Sequence, residues 1–169
     1  LILGGMHWMK MTARSVDTAI DLSGLGLDTI VETDHTFEIG CMVTLRQLEQ
    51  HPALNAWTNH AVADAVKDIV GVQFRNTATV GGSIFGRYGF SDVLTVFLAL
   101  NAKVVCHHAG EIPLEQYAQM PADRDILVKL VVDKQPMRVS YQAMRHARTD
   151  FPILTCAVSC VEGVWQASV

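Results

Sequence analysis

Thr77-Ala78-Thr79-Val80-Gly81-Gly82-Ser83-Ile84 is the stretch that decides how the rest of the chain is read. Two adjacent glycines are flanked by small hydroxyl residues, and nothing bulky intervenes before Ile84. Glycine admits backbone dihedrals that a Cβ forbids and lets a ligand approach the main chain. A turn built this way points successive amides into an anion-binding nest. Thr77, Thr79 and Ser83 add hydroxyls at the same place, and Arg75 stands just upstream as a cation. A second pair, Gly4-Gly5, follows the apolar run Leu1-Ile2-Leu3. Two strand-to-glycine connections, one rich in hydroxyls, suit a polyphosphate held between two loops. The same residues also suit two tight turns that merely close strands.

Working outward, the loop 4–11 carries Met6, His7, Trp8, Met9 and Lys10, too apolar a set for a surface turn. It is expected to be covered by protein or to line a ligand, with His7 as a structural hydrogen-bonding group. Short strands are expected at 18–22, 28–31 and 37–41. Thr44 and Gln47 have capping-box spacing at the start of a short helix that ends near His51-Pro52. Residues 53–70 form the longest helical pattern, with Leu54, Trp57, Ala61, Ala65 and Ile69 on one face and Gly71 as its stop. The run Phe85-Gly86-Arg87-Tyr88-Gly89-Phe90 alternates glycines with aromatics, giving a loop able to lay ring faces on something flat. Ser91 caps a nearly all-apolar helix, 92–100. Asp92 in its first turn favours the positive helix end and equally suits sugar or polyol hydroxyls. Strands follow at 103–108, 125–132, 137–144 and 153–161, the last turned out by Gly163. Residues 145–150 form a polar loop. Strands first, helices in the middle and strands late indicate an α+β fold.

The chain has 169 residues, 50% hydrophobic and 18% charged, with a net charge of −4. That describes a globular protein and disfavours nucleic-acid binding. No apolar run approaches the roughly 18 residues of a membrane helix. Cys41, Cys106, Cys156 and Cys160 form no Cys-x-x-Cys pair, so reduced, mostly buried thiols in a cytoplasmic protein are expected, with no metal site in this chain. There is no Walker loop, Gly-x-Ser-x-Gly elbow or His-Glu-x-x-His. The chain opens on Leu1 in an apolar strand and closes near another strand, so a longer polypeptide is expected.

Leu1-Ile2-Leu3-Gly4-Gly5, Ile39-Gly40-Cys41-Met42-Val43-Thr44-Leu45 and Phe74-Arg75-Asn76-Thr77-Ala78-Thr79-Val80-Gly81-Gly82-Ser83-Ile84 together resemble the FAD-binding (medium) subunit of the molybdenum hydroxylases. That family includes xanthine dehydrogenase and carbon monoxide dehydrogenase. Ser91-Asp92, Asp125-Ile126-Leu127 and 141–150 resemble later segments. The resemblance implies a two-loop, PCMH-type FAD-binding domain over 1–137, lacking its first βα unit, and the truncated start of a C-terminal domain over 138–169. It implies FAD contacts from Leu1, Ile2, Leu3, Gly4, Gly5, Met6, His7 and Trp8 in the first loop. Thr79, Val80, Gly81, Gly82 and Ser83 of the second loop would join them, with Asp92 on nucleotide hydroxyls and Leu127 beside the flavin. Met6 and His7 stand where relatives often have a small polar residue, and Gln142 where they often have lysine.

The implied activity is oxidoreductase electron transfer. Electrons from a molybdopterin subunit reach FAD through a 2Fe–2S subunit and pass to NAD or another acceptor. A purine or other N-heterocycle is the family-level substrate. No acid or base is needed in this chain, because the flavin carries the redox chemistry. The Phe85–Phe90 loop is expected on the flavin-ring side. A stand-alone FAD-dependent oxidoreductase and a flavin-free structural subunit are the competing readings.

Overall fold

The computed structural model describes residues 1–13, 15–121 and 124–169. A short parallel pair, β1 (Ile2–Leu3) and β2 (Ile20–Asp21), leads in. Strands β3 (Ile30–Glu32) and β4 (Thr36–Gly40) follow. Six helices come next: α1 (Leu45–Gln50), α2 (Pro52–Trp57), α3 (Ala61–Val66), α4 (Val72–Arg75), α5 (Val80–Phe85) and α6 (Asp92–Ala99). Then β5 (Lys103–Cys106), β6 (Gly110–Pro113), α7 (Leu114–Gln119) and β7 (Leu127–Asp133) complete the larger sheet, whose order is β3-β4-β7-β5-β6. A second sheet, β10-β9-β8, is formed by β8 (Met137–Arg145), β9 (Pro152–Val161) and β10 (Val164–Ser168). Helices lie between strands that pair, as β4 does with β7, so the α+β expectation holds.

The larger sheet is antiparallel and alternates cleanly. Phe37 and Ile39 of β4 sit opposite Val132 and Leu130 of β7, and all four are fully buried. Val104 of β5 continues the row beside Leu130. Helix α6 is buried at almost every residue because it serves two surfaces. It packs against α3 and α5, and also against the second sheet, where Thr95 and Thr155 share a buried hydroxyl–hydroxyl bond of 2.9 Å.

The Thr44–Gln47 capping box is present, with Thr44 accepting from the Gln47 amide and Gln47 accepting from the Thr44 amide at 2.8 Å. Ser91 caps α6 by accepting from the Leu94 amide. The single long helix expected over 53–70 does not form. It breaks between α2 and α3, where Asn59 and His60 take positive φ of 54° and 65°. The buried Asn55 amide stabilises the break: it donates to the carbonyls of Leu48, Glu49 and His51 and accepts from the Ala63 amide. Those bonds satisfy helix-end groups that a continuous helix would have paired internally. Gly71 is correspondingly not a helix stop but the residue that leads into α4. Gly163 does turn the chain out of β9, and with Glu162 it makes a two-residue hairpin with both φ positive. The strand after it, β10, was not expected.

Candidate functional site

The two glycine segments meet face to face. A Cβ on Gly5 would lie 2.3 Å from the Thr77 carbonyl oxygen and 2.8 Å from Ala78 Cα. On Gly4 it would lie 3.0 Å from Thr79 Oγ1. Only glycine permits so close an approach of one backbone to another. His7 ties the same two segments from the side. Its Nε2 is 2.8 Å from Thr77 Oγ1, and its ring stacks on Phe74 with centroids 3.8 Å apart. The structural role expected for His7 is the one found. Among the described residues, the backbone amides of Gly5, Met6 and His7 meet no acceptor. They leave the first loop with donors to offer.

The second segment differs from its expected form. It is not an open nest: Val80–Phe85 is helix α5, Thr79 caps it, and neither Gly81 nor Gly82 has a positive φ. Its amides are already committed. Val80 donates to Val43 and Gly81 to Cys41, each at 2.8 Å, while Gly82 donates to Thr79 Oγ1 and Ser83 to the Thr79 carbonyl. The two glycines have different reasons. Gly81 is buried, and a Cβ there would meet the Cys41 carbonyl oxygen at 2.7 Å. Gly82 is exposed, and a Cβ would meet only Thr79 Oγ1, at 3.2 Å. Packing within the chain explains the first and leaves the second unexplained.

Gly4, Gly5 and Lys10 share a cleft of about 370 Å³ with Thr44, Thr77 and Thr79. Asp28, Gln47 and Asn76 also border it. Lys10, Gln47 and Asn76 were not expected at a ligand site, because nothing local marks them for one. Only the docking of α1 and the 76–79 segment against the first loop brings them together. Arg75, expected as a cation for the ligand, is directed elsewhere. It is 5% exposed and ion-pairs with Glu49 through Nε at 2.8 Å.

Leu1, Ile2 and Leu3 hold the first loop from below: Ile2 and Leu3 pair with β2, and the Leu1 carbonyl accepts from the Ile20 amide. Trp8 turns away from the cleft into an exposed aromatic cluster. It stacks on Phe151 at 5.7 Å and lies 5.9 Å from Tyr88, which stacks on Phe90 at 5.1 Å. Met6 is exposed and borders the cleft. Leu127 is buried at the start of β7. Asp92 is buried at the start of α6, where its carboxylate accepts from the Tyr141 hydroxyl and the Arg145 guanidinium. Burial pushes its pKa above the ordinary value, against the pull of those two partners. Asp92 and Leu127 do not border the cleft.

The family described as the FAD binding domain in molybdopterin dehydrogenase matches residues 1–134. The chain belongs to that family. FAD is therefore its cofactor, and the unpaired amides of Gly5, Met6 and His7, the Thr79 hydroxyl and the Lys10 ammonium are donors that fit a dinucleotide diphosphate. Among solved structures, this FAD-binding fold is shared with carbon monoxide dehydrogenase from Hydrogenophaga pseudoflava. The TM-score is 0.86 at 22% identity, over 99% of this chain and 66% of that one. Quinoline 2-oxidoreductase from Pseudomonas putida 86 shares it with a TM-score of 0.83 at 15% identity, over 94% and 60%. The "uncharacterized protein YgfM" of Escherichia coli K12 is 28% identical over 145 residues, which is 85% of this chain. Aldehyde oxidase 2 of Cavia porcellus is 32% identical over 75 residues, covering 40% of this chain and 6% of that protein. The chain spans 54% of the length of YgfM. Among the described residues, no helix is long and apolar enough to cross a membrane.

Proposed function

We propose that this FAD-binding domain works in the electron-transfer subunit of a cytoplasmic, xanthine dehydrogenase-like molybdenum hydroxylase. In that role it sits beside a molybdopterin subunit and a 2Fe–2S subunit and relays electrons to NAD or another acceptor. When bound, FAD supplies the electron-carrying chemistry. The chain's residues bind and orient it. The amides of Gly5, Met6 and His7 donate to the diphosphate, the Thr79 hydroxyl adds a donor, and Lys10 offsets its charge. Gly82 leaves room for the nucleotide against α5. The Trp8, Tyr88 and Phe90 rings form the flavin-ring side. Residues 1–137 act as the FAD domain and 138–169 as the start of the C-terminal domain, with Asp92 reaching across to Tyr141 and Arg145.

One observation carries this reading: a loop in which the amides of Gly5, Met6 and His7 meet no acceptor is pressed against a hydroxyl-bearing segment at a cleft. The alternative is a flavin-free structural subunit. It is favoured by the pairing of every amide from Val80 to Ser83 and by the closure of Asp92 under Tyr141 and Arg145. Purification of the full-length protein decides between them. A yellow protein with a flavin absorption spectrum that copurifies with molybdopterin and iron–sulfur chains supports the first. A colourless protein that refuses added FAD supports the second.

A further inference from the structure

We infer that His7 is a positioning residue whose ring braces the two loops against each other and sets the affinity of the cradle through Thr77, without the imidazole itself needing to touch the nucleotide. This inference rests on the FAD reading. With its proton on the Phe74 carbonyl, 3.2 Å away and able only to accept, Thr77 Oγ1 is an acceptor toward His7. His7 Nε2 is then the donor, and the Nε2–H form is the one that holds the brace. Ring stacking on Phe74 fixes the imidazole plane. Gly5 against Thr77 and Gly4 against Thr79 complete a line of contacts between the segments. Among the described residues, the His7 ring is the one side-chain link in that line from the first loop. Its own amide is among the unpaired donors, so a shift of the ring moves the donors with it.

Charge adds a second consequence. Partial burial lowers the His7 pKa from its ordinary value, Lys10 lowers it further, and the Phe74 backbone opposes both. The ring is therefore neutral at neutral pH. Protonation keeps Nε2–H, so the brace persists, and it adds a positive charge beside the amides that face an anion. A bound diphosphate favours that charged form. FAD binding should then tighten as pH falls through the His7 pKa, a dependence that a purely structural histidine lacks.

The test uses the full chain with His7→Ala, His7→Gln and Thr77→Val. Gln keeps an N–H donor and cannot titrate. FAD titration at neutral pH should show about a tenfold weaker Kd for His7→Ala and for Thr77→Val, and near wild-type affinity for His7→Gln. Lowering the pH should tighten FAD binding to wild type and leave His7→Gln flat. Equal affinity of His7→Ala and wild type, or the same pH profile for His7→Gln and wild type, overturns the inference. Ligand-free NMR of the imidazole nitrogens separates this from failure of the FAD reading. An Nε2–H tautomer lost in Thr77→Val establishes the brace whether or not FAD binds, and an Nδ1–H tautomer overturns it. A wild-type chain that has the brace but refuses FAD overturns both the cofactor role given to His7 and the FAD reading.

Discussion

Replacing Gly5 with alanine should pry the two loops apart, and the size of the effect follows from the geometry. The new Cβ would lie 2.3 Å from the Thr77 carbonyl oxygen, about 1 Å short of ordinary contact, which begins at 3.4 Å. The obstacle is backbone on both sides, so no side-chain rotation relieves it. Forcing a methyl group into such a contact costs about 2 kcal/mol. For a chain of this size that lowers Tm by roughly 4–8 °C. Displacing the first-loop amides by about 1 Å lengthens any hydrogen bond they make beyond useful range. Losing one bond to a charged phosphate costs about 1.5–3 kcal/mol, so FAD affinity should fall at least tenfold. Gly82→Ala provides the contrast. A residue with a side chain favours the helix by about 1 kcal/mol, and disturbing the Thr79 cap costs a similar amount. Tm should therefore change by no more than a few degrees while FAD affinity falls. Thermal unfolding and flavin-fluorescence titration on the same samples read both quantities. Wild-type Tm for Gly5→Ala would refute the loop contact. Wild-type FAD affinity for both variants would refute the placement of the nucleotide against these glycines.

The remaining predictions concern the supports of the site. Arg75→Ala should destabilise the fold by about 2 kcal/mol by leaving Glu49 with Arg46 in place of two arginines, seen as a lower urea midpoint. Burial pushes the Glu49 carboxyl up, but hydrogen bonds and charge from Arg75 and Arg46 outweigh it and hold the group below its ordinary value of 4.5. Its ionised form is thus favoured by folding, so that stability is present above pH 4.5 and lost as pH falls through the folded pKa. Glu49→Gln should weaken the fold at neutral pH and flatten the loss of stability in acid; an unchanged acid profile would count against the pair. Tyr141→Phe removes one partner of buried Asp92 and should lower stability by about 2 kcal/mol, measured by denaturant unfolding. Replacing Phe85 and Tyr88 together with alanine should shift the visible spectrum of bound flavin, and an unshifted spectrum removes the aromatic cluster from the ring's surroundings.

What was legible in the sequence was chiefly local. Thr44 and Gln47 announce a capping box because both partners lie within one turn. Ser91 and the apolar run behind it announce α6 for the same reason. The break between α2 and α3 was hidden because it depends on Asn55, whose amide reaches from α1 to Ala63. In hindsight the polar run Thr58-Asn59-His60 inside an apolar stripe was its trace. Arg75 looked available from its neighbours in sequence, yet Glu49, far upstream, takes it into the interior.

The sequence alone determined that the backbone can approach closely at two glycine pairs, one of them flanked by hydroxyls, since clearance and side-chain donors are properties of residue type and order. Which donors remain to be offered was decided only by tertiary structure. Val43 and Cys41 take up the amides of Val80 and Gly81, while Gly5, Met6 and His7 keep theirs unpaired. An amide can serve a ligand only if no carbonyl from a distant segment reaches it first, and that competition is settled when the segments pack.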